Sequence, residues 1–320
     1  MKILVTGGTG LVGSHIQKLV QTNEEDSNST NIYKDYEFIF VSSADCDLKD
    51  PYKVIQLFKK HKPNSVIHLA ARVGGLYRNL SENLEMFSDN IKINENVLEA
   101  CNFLNIYKAI FCLSSCIFPE NPSKFPMDEN MIHESPPHTS NEGYAYSKRM
   151  LEMQCRQHNK LGYEFICLTP VNLYGPYDNF NLKDSHVIAG IIHRFHNTKI
   201  NKEKFVMYGS GTPLRQFIYS YDFAKIILKF LFEYKGDITN IICCNDEISI
   251  KKLTETISLI YEYKTDKIIC DLTKPDGCKR KTVDGSLFKK IFPNFEYTSL
   301  ENGLKETVDW FTTNYNTCRK

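Results

Sequence analysis

A glycine-rich turn close to the start of the chain limits the possible folds more than any other stretch. The turn is Thr6-Gly7-Gly8-Thr9-Gly10-Leu11-Val12-Gly13; an apolar run precedes it at residues 3–5, and residues 14–20 follow with apolar side chains at helical spacing. Glycines at this spacing allow a tight turn, let a diphosphate approach bare backbone N–H groups, and let the helix pack close to the strand. The stretch therefore predicts the first strand–turn–helix unit of a dinucleotide-binding fold.

Strand and helix patterns then alternate along the first half of the chain. Strands are predicted at residues 3–5, 37–41, 64–69, 109–113 and 164–168, and helices at residues 14–20, 52–61, 80–104 and 144–161. This alternation is typical of a doubly wound parallel sheet, the Rossmann class of α/β folds. We expect residues 1–174 to form the dinucleotide-binding domain, with returns to its sheet at about 216–222 and 241–245, and residues 175–320 to form mainly a smaller α/β lobe that binds the substrate.

The composition gives no general attraction to large charged partners. The 39 basic and 38 acidic residues leave a formal charge of +1, so neither nucleic acid nor an acidic membrane is expected as a partner. No apolar run approaches the roughly 20 residues of a membrane span. Residues 21–36 are polar and acidic, which predicts an exposed loop to which we assign no function.

The cysteines and histidines give no sign of a metal site. The eleven cysteines form no CxxC pair, which argues against both a zinc site and a secreted disulfide framework. His193 and His196 share a predicted helix but lack a third ligand nearby in the sequence, so no metal is expected. Reduced thiols in a soluble, cytoplasmic protein with a small-molecule substrate are the expectation.

Two short stretches carry groups suited to chemistry on a carbonyl. Tyr144 and Lys148 lie four residues apart on a predicted helix, so they share one face and the lysine charge can favour the phenolate. Ser114 and Cys116 follow a predicted strand, at the sheet edge where ligands bind in open α/β folds. The serine would complete a proton-donating clamp on a carbonyl oxygen, and the thiol suits removal of a proton beside a ketone. Asn90 is either a polar contact to the active-site lysine or a surface residue.

The end of the second predicted strand bears on the choice of dinucleotide. An NAD enzyme usually places an acidic residue there to hold the ribose 2′-hydroxyl, and that acid would repel a 2′-phosphate. Ser42 and Ser43 occupy the position here, which favours NADP. Asp45 close by, and the absence of an arginine, leave NAD open.

Several motifs together resemble one enzyme family over essentially the whole chain. They are Thr6 to Gly13, His68-Leu69-Ala70-Ala71, Tyr144-x-x-x-Lys148, Asn172-Leu173-Tyr174-Gly175-Pro176 and Arg215-Gln216-Phe217-Ile218-Tyr219-x-x-Asp222. They are similar to those of the extended short-chain dehydrogenases that act on nucleotide sugars. Narrower stretches resemble the GDP-L-fucose synthases within that group: Ala71-Arg72-Val73-Gly74-Gly75, Ser114-Ser115-Cys116-Ile117-Phe118-Pro119, Pro136-Pro137-His138, residues 143–150 and Ser185-His186-Val187-Ile188.

The resemblance implies two reactions on GDP-4-keto-6-deoxy-D-mannose, namely epimerisation at C3 and C5 and then NADPH-dependent reduction of the C4 ketone. It implies that Cys116 is the base and His186 the acid of the epimerisation. Ser114 and Tyr144 would hydrogen-bond the C4 oxygen, and Lys148 would hold the nicotinamide ribose. Both epimerised carbons are alpha to the carbonyl, so an enolate stabilised by hydrogen-bond donors makes their protons removable.

The resemblance also implies the residues that bind the two ligands. Those expected to bind NADP(H) are Gly7, Gly8, Thr9, Gly10, Leu11, Val12, Gly13, Ser42, Ser43, Asp47, Leu48, Leu69, Ala70, Ala71, Leu113, Ser114, Lys148, Pro170, Asn172, Leu173 and His186. Those expected to bind the GDP-sugar substrate are Arg194 and Arg215 at the diphosphate, Asp276, and Tyr208, which stands where relatives commonly have tryptophan. A homodimer through the helices at 80–104 and 144–161 is implied as well.

Three other functions remain open at this point. A nucleotide-sugar 4,6-dehydratase would carry an Asp-Glu pair where this chain has Cys116-Ile117, and a 4-epimerase would not explain Cys116 together with His186. A regulator that binds NADP without turnover would commonly lose the Tyr144 and Lys148 pair, which is intact here. Product formation from a 4-keto sugar would separate these functions.

Overall fold

The computed structural model describes residues 1–22, 33–274 and 276–320. Residues 23–32, most of the stretch predicted to be an exposed loop, lie outside the described residues. The strands are β1 (Lys2–Thr6), β2 (Glu37–Val41), β3 (Ser65–His68), β4 (Lys108–Cys112), β5 (Glu164–Pro170), β6 (Asn172–Tyr174), β7 (Val206–Tyr208), β8 (Leu214–Tyr219), β9 (Asn240–Cys243), β10 (Glu247–Ser249) and β11 (Ile269–Asp271). The helices are α1 (Leu11–Thr22), α2 (Pro51–His61), α3 (Leu76–Ser81), α4 (Asn83–Phe103), α5 (Glu142–Asn159), α6 (Val187–Asn201), α7 (Ser220–Phe232), α8 (Ile250–Ile260), α9 (Ser286–Ile291) and α10 (Leu300–Thr313).

Six parallel strands form the central sheet in the order β2-β1-β3-β4-β5-β9. The chain leaves β1 towards β2 on one side and then crosses to β3 on the other, so the strand order reverses next to β1. Ligands of open α/β sheets bind in the crevice outside the carboxyl ends of the strands at such a switch point. The predicted Rossmann class is confirmed, and the glycine-rich turn lies at this crevice.

The second half of the chain departs from the prediction at one strand. The expected return near 241 is β9, the sixth strand of the central sheet. The expected return near 216 is wrong, because β8 pairs with β6 and β10 in a separate three-stranded sheet. β7 and β11 form a further two-stranded sheet. The division of the chain at residue 174 stays a prediction.

Two hydrophobic clusters hold the molecule together. The larger one joins the central sheet to α7 through side chains such as Phe223 and Ile227. The smaller one lies among α6, α8 and α10 and includes Phe195, Leu253 and Phe311. Because α7 belongs to the larger cluster, the chain packs again on the central sheet after β8. No helix among the described residues has both the length and the apolar character that crossing a bilayer requires.

The long helix predicted at 80–104 is interrupted. Its first turns form α3, and α4 begins at Asn83 after Glu82 leaves helical geometry with φ −124° and ψ 32°. The break places Asn83 next to the start of α5. The Asn83 side chain accepts a hydrogen bond from Gly143 N at 2.7 Å and so fixes that start. A β-carbon on Gly143 would lie 2.1 Å from the Asn83 carbonyl oxygen, so only glycine fits there.

Asn90 takes neither of its predicted roles. It is fully buried, and its side chain accepts from Arg72 N at 2.8 Å and donates to the Arg72 carbonyl at 3.0 Å. This pairing satisfies backbone groups of the loop that follows β3, which would otherwise be buried without partners. Asn90 therefore supports the loop at the sheet edge and does not contact Lys148.

A buried histidine ties the first and third strands to α4. His68 Nδ1 accepts from the Thr6 hydroxyl at 2.7 Å, and its Nε2–H donates to Asn94 Oδ1 at 3.2 Å. Burial, with a contribution from the charge of Lys148, lowers the pKa of His68 to about 3. A neutral ring with one donor and one acceptor matches both partners, so this tautomer is fixed by its surroundings.

Candidate active site

The glycine-rich turn has the features that a dinucleotide diphosphate requires. Gly7 has φ +69°, and a β-carbon on Gly13 would lie 2.5 Å from the carbonyl oxygens of Gly7 and Gly8. The N–H groups of Leu11, Val12 and Gly13, in the first turn of α1, have no backbone acceptor among the described residues. Free N–H groups at a helix N-terminus attract anions, so this turn fits the diphosphate predicted for it.

A cavity of about 400 Å³ opens above this turn, and we call it the glycine-turn cavity. Most of the predicted dinucleotide-binding residues line it: Gly7, Gly10, Leu11, Val12, Gly13, Leu69, Ala70, Ala71, Leu113, Ser114, Lys148, Pro170, Asn172, Leu173 and His186. The others do not: Gly8, Thr9, Ser42, Ser43, Asp47 and Leu48. Arg78, Asp178 and Arg319 also line the cavity and carry charges that sequence analysis did not assign to it.

The predicted residues outside the cavity lining follow β2 or belong to the glycine-rich turn itself. Gly8 packs against β2, where a β-carbon would lie 2.7 Å from Phe40 Cβ. At the end of β2 the Asp45 carboxylate accepts hydrogen bonds from Ser42 N at 2.8 Å and Ser42 Oγ at 2.7 Å. These bonds lower the pKa of Asp45 and engage one oxygen of the carboxylate within the strand-end turn. Asp47 likewise accepts from Lys49 N at 3.1 Å within its own turn.

Ser114 and Cys116 are held in a fixed relation by a short 3₁₀ turn, Ser115–Ile117. Ser114 Oγ accepts from Cys116 N at 3.3 Å. Burial raises the pKa of the Cys116 thiol, while the hydrogen bond with Ser114 and the charges of Lys281 and Lys148 oppose that rise. Cys116 is thus a buried thiol with two cations nearby, a setting that favours a thiolate more than burial alone would.

The electrostatics of the Tyr144 and Lys148 pair depend mainly on burial. Lys148 Nζ donates to the Cys112 carbonyl at 2.7 Å and lies 5.8 Å from the centre of the Tyr144 ring. Burial raises the pKa of Tyr144 well above its usual value, with additions from Cys116 and Cys112, and burial lowers the pKa of Lys148. Burial therefore dominates the pKa of Tyr144, and the stabilisation of the phenolate by Lys148 stays a prediction. Tyr144 is a neutral phenol that can donate a proton.

A second cavity, of about 240 Å³, adjoins the first, and we call it the cysteine cavity. Cys116, Arg215 and Asp276 line it, as do His138, from the motif Pro136-Pro137-His138, and Lys281, which sequence analysis did not single out. Six residues line both cavities: Gly74, Ser114, Ser115, Tyr144, Asn172 and His186. The structure therefore brings the predicted catalytic hydroxyls and His186 to the boundary between the cavities, with Cys116 on one side and Lys148 on the other.

His186 reaches this boundary because its segment is tied to the loop after β3. Gly75 N donates to the Asp184 carbonyl at 2.9 Å, and Arg78 Nη1 lies 3.4 Å from the Asp184 carboxylate. A β-carbon on Gly75 would lie 2.5 Å from the Ser185 carbonyl oxygen, so the two segments are in direct contact. His186 then immediately precedes α6.

The remaining predicted substrate residues form a separate group beside the cysteine cavity. Asp276 accepts from Ser210 N at 2.7 Å and from Ser210 Oγ at 2.8 Å, which joins it to the turn after Tyr208. Arg194 does not line the cysteine cavity; its guanidinium lies 4.3 Å from the centre of the Tyr208 ring, and Tyr208 is 46% exposed. This aromatic side chain is supported from one side by a cation and is open on the surface.

Among the charged lining residues that sequence analysis missed, Lys281 is the one that a sequence pattern could have indicated. It stands in the basic run Lys279-Arg280-Lys281. Its ammonium has no hydrogen-bond or ion-pair partner among the described residues, and burial lowers its pKa. No comparable sequence pattern pointed to Arg319. Within residues 1–22, 33–274 and 276–320, no three His, Cys, Asp or Glu side chains are grouped so that they could hold a metal ion.

Comparisons with known proteins agree with this geometry. Residues 3–242 match the NAD dependent epimerase/dehydratase family. The chain is 44% identical to a GDP-L-fucose synthase of Dictyostelium discoideum, covering 99% of this chain and 97% of the relative. The chain belongs to the GDP-L-fucose synthase family. It is also 36% identical to a probable GDP-L-fucose synthase of Drosophila melanogaster, over 100% of this chain and 99% of that one.

A solved structure of the family extends the likeness to three dimensions. A GDP-L-fucose synthetase from Naegleria fowleri bound to NADP has a TM-score of 0.90 and 39% sequence identity to this chain. The match covers 100% of this chain and 95% of that one. The likeness therefore extends over the whole length of this chain.

Proposed function

We propose that the protein converts GDP-4-keto-6-deoxy-D-mannose to GDP-L-fucose by epimerisation at C3 and C5 followed by NADPH-dependent reduction of the C4 ketone. Membership of the GDP-L-fucose synthase family supports this activity. The single observation that carries it in the structure is the wall shared by the two cavities. Ser114, Tyr144 and His186 face both, Cys116 faces only one and Lys148 only the other.

The glycine-turn cavity is assigned to NADP(H), the ligand of the Naegleria relative. The free N–H groups of the first turn of α1 would bind the diphosphate, and Lys148 would bind the ribose next to the nicotinamide. When bound, NADPH supplies the hydride for reduction of the ketone. Ser42 donates two hydrogen bonds to one carboxylate oxygen of Asp45. That oxygen is less available to accept a hydrogen bond from a ribose 2′-hydroxyl, which supports NADP over NAD.

Cys116, Ser114, Tyr144 and His186 supply the groups for epimerisation. The Cys116 thiolate would take a proton from the carbon beside the ketone, leaving the electron pair as an enolate. The O–H groups of Ser114 and Tyr144, which line both cavities, would stabilise the oxygen on which negative charge develops. His186 would return a proton to the opposite face of the carbon, so that the centre is inverted and each proton removed is replaced. The same steps apply at C3 and at C5.

Tyr144 has the protonation state that the reduction requires. Because burial keeps Tyr144 a neutral phenol, it can give its proton to the C4 oxygen as that oxygen becomes a hydroxyl. Lys148, held by the Cys112 carbonyl at 2.7 Å, places a cation on the same face of α5. That cation would stabilise the phenolate left after transfer, until solvent restores the proton.

Isotope incorporation would test the two reactions separately. We would incubate the wild type, Cys116→Ser, Tyr144→Phe and the exposed-thiol control Cys270→Ser with GDP-4-keto-6-deoxy-D-mannose in deuterated water, with and without NADPH. With NADPH, the wild type and the control should give GDP-L-fucose labelled at C3 and C5. The cysteine variant should lose the label, and the tyrosine variant should lose NADPH oxidation but keep the part of the exchange that Ser114 alone supports. Unlabelled sugar and unused NADPH with the wild type would contradict the proposed function.

We further propose that the protein is a homodimer that packs through α4 and α5. Leu84 is 72% and Phe87 37% exposed on α4, beside a groove of about 480 Å³ between the two helices. The residues lining it are Asn83, Leu84, Phe87, Glu142, Gly143, Tyr146 and Met150. Burial of this apolar strip against a second copy would favour association. Light scattering should give a dimer mass for the wild type and a lower mass for Leu84→Lys; a monomeric wild type would contradict the proposal.

A cytoplasmic location is proposed on the state of the cysteines. All eleven are free in the structure, and the buried Cys116 would need to remain a thiol to act as the base. A reducing compartment keeps such thiols available. Imaging of the tagged protein together with fractionation would test the location, and enrichment in a secretory compartment would contradict it.

A further inference from the structure

Three cationic side chains line the glycine-turn cavity: Arg78, Lys148 and Arg319. Arg78 contacts the carboxylates of Glu82 at 2.9 Å and Asp184 at 3.4 Å, which offset its charge. Lys148 donates to a backbone carbonyl beside Tyr144. Arg319 also lines the cavity, and no carboxylate among the described residues lies within 4 Å of its guanidinium. The cavity thus contains an arginine whose charge is not neutralised by the protein.

The position of Arg319 is fixed by contacts that lead back to the glycine turn. Its Nη2 donates to the Tyr177 carbonyl at 2.7 Å, and its own carbonyl accepts from Phe180 N at 2.8 Å. The Tyr177 ring in turn packs edge-on against His15, with ring centres 5.4 Å apart. His15 lies on α1, the helix whose N-terminus forms the glycine turn. Arg319 is therefore anchored to the same helix that presents the free N–H groups.

Most of the hydrogen-bonding capacity of Arg319 is unused. A guanidinium has five N–H donors in a planar fork, and the structure engages one of them, at the Tyr177 carbonyl. The fork matches two oxygens of a phosphate, and such pairs are stronger than neutral hydrogen bonds. The unused donors therefore suit an anionic ligand with several oxygens.

Asp178 is the alternative partner for the guanidinium of Arg319 within the protein itself. Its buried Oδ2 atom has no hydrogen-bond partner, and it lines the same cavity. Burial raises the pKa of Asp178, and attraction to His186 and Arg319 opposes that rise. Arg319 forms no ion pair with it, however, so Asp178 leaves the guanidinium fork available.

We propose that Arg319 binds the diphosphate of the dinucleotide in the glycine-turn cavity, together with the N–H groups of the first turn of α1. The inference rests on the proposed function in taking that ligand to be NADP(H). The diphosphate is favoured over the 2′-phosphate because Arg319 shares its cavity with Gly10 to Gly13, whereas Ser42 and Ser43, at the strand end expected to meet the 2′-position, do not line it. Arg319 therefore serves NADPH and NADH equally.

Equilibrium binding to the protein without substrate would test this role. We would titrate the wild type, Arg319→Ala, Arg319→Gln, Arg319→Lys and Lys320→Ala with NADPH and with NADH by calorimetry. Arg319→Gln keeps a donor that can reach Tyr177 but removes the charge. Lys320→Ala is the matched control, because Lys320 donates to the Tyr315 carbonyl and does not line the cavity. Thermal unfolding without nucleotide would show that each variant is folded.

We expect Arg319→Ala and Arg319→Gln to weaken both nucleotides about ten-fold, with Arg319→Lys intermediate and Lys320→Ala unchanged. The wild type should also lose more affinity with added salt than Arg319→Gln does. Loss of NADPH binding alone would overturn the assignment to the diphosphate. Unchanged binding in folded variants, or recovery of Arg319→Ala binding by a second change Asp178→Asn, would overturn the proposed contact. Failure of the wild type to bind either nucleotide would instead contradict the proposed function.

Discussion

The two adjoining cavities are built in different ways. The glycine-turn cavity is made mainly from small residues at strand ends, and its key groups are backbone N–H donors that belong to one contiguous stretch. The cysteine cavity is made from reactive and charged side chains, Cys116, Arg215, Asp276 and Lys281, that come from distant parts of the chain. Backbone recognition thus leaves a local sequence pattern, whereas side-chain recognition depends on how remote segments fold together.

The largest expected effect comes from filling the glycine turn. In Gly13→Ala the new β-carbon would meet two carbonyl oxygens at 2.5 Å, so α1 would have to move away from the turn. We expect roughly 100-fold weaker NADPH binding by calorimetry, with binding of GDP to the cysteine cavity nearly unchanged. Gly10→Ala, whose β-carbon would lie 3.2 Å from the Gly7 carbonyl, should lose less than about ten-fold and serves as the graded control. Equal losses of both ligands would mean that the cavities are not separable.

Changes at the two arginines predicted at the substrate diphosphate should weaken binding of the GDP-sugar and leave NADPH binding little changed, and the effect should be larger at Arg215 than at Arg194. Arg215 lines the cysteine cavity, so Arg215→Met should raise KM for the GDP-sugar by roughly 30-fold with little effect on NADPH. Arg194 supports Tyr208 from outside that cavity, so Arg194→Met should raise KM by about three-fold. Steady-state kinetics with each ligand varied in turn would measure both. Similar effects of the two changes would show that substrate contacts extend beyond the cavity lining.

Acid should destabilise the contact of β1 and β3 with α4 through His68. The unfolded histidine binds a proton below about pH 6.5, whereas the folded one stays neutral down to its pKa of about 3, so stability falls as pH drops through this range. At pH 5 the loss from His68 should be about 2 kcal/mol relative to neutral pH. Urea unfolding of wild type and His68→Gln at pH 7.5 and pH 5 would measure it. The variant should lose less stability on acidification; an equal loss would contradict the assignment.

The smallest expected effect concerns the choice between the two dinucleotides. Asp45 is exposed, and one of its carboxylate oxygens is engaged by Ser42, so its charge acts on a 2′-phosphate through solvent. Asp45→Ala should improve NADPH binding about two-fold and leave NADH binding unchanged. Calorimetry at low salt would measure the difference. A gain for NADH in place of NADPH would show that Asp45 does not face the 2′-position.

The sequence predicted the parts that depend on local pattern. Alternating strands and helices and the turn from Thr6 to Gly13 are each determined by neighbouring residues, and the structure confirms them. The partner of β8 could not be predicted, because its apolar pattern fits either sheet and the choice depends on β6 and β10. The break at Glu82 was missed for a similar reason, because the contact associated with it joins Asn83 to Gly143 of α5, far along the chain.

The electrostatics of the site could not be read from the sequence either. The spacing of Tyr144 and Lys148 predicted that they share a helix face, but the pKa of Tyr144 depends on burial by surrounding elements. Lys281 and Arg319 are isolated cations until folding brings them to the cavities. Charge and solvent exclusion are properties of the assembled molecule, and a motif records only the residue types.

The shared wall of Ser114, Tyr144 and His186 also has a consequence for inhibitor design. Because the two cavities adjoin there, one synthetic molecule could place a nucleotide in each and cross the boundary with a short linker. Tethering makes the second binding event intramolecular, so such a compound would gain affinity from effective concentration without any new contact. Enzymes whose two cavities are set apart by a different distance would reject it, so the length of the linker would provide selectivity.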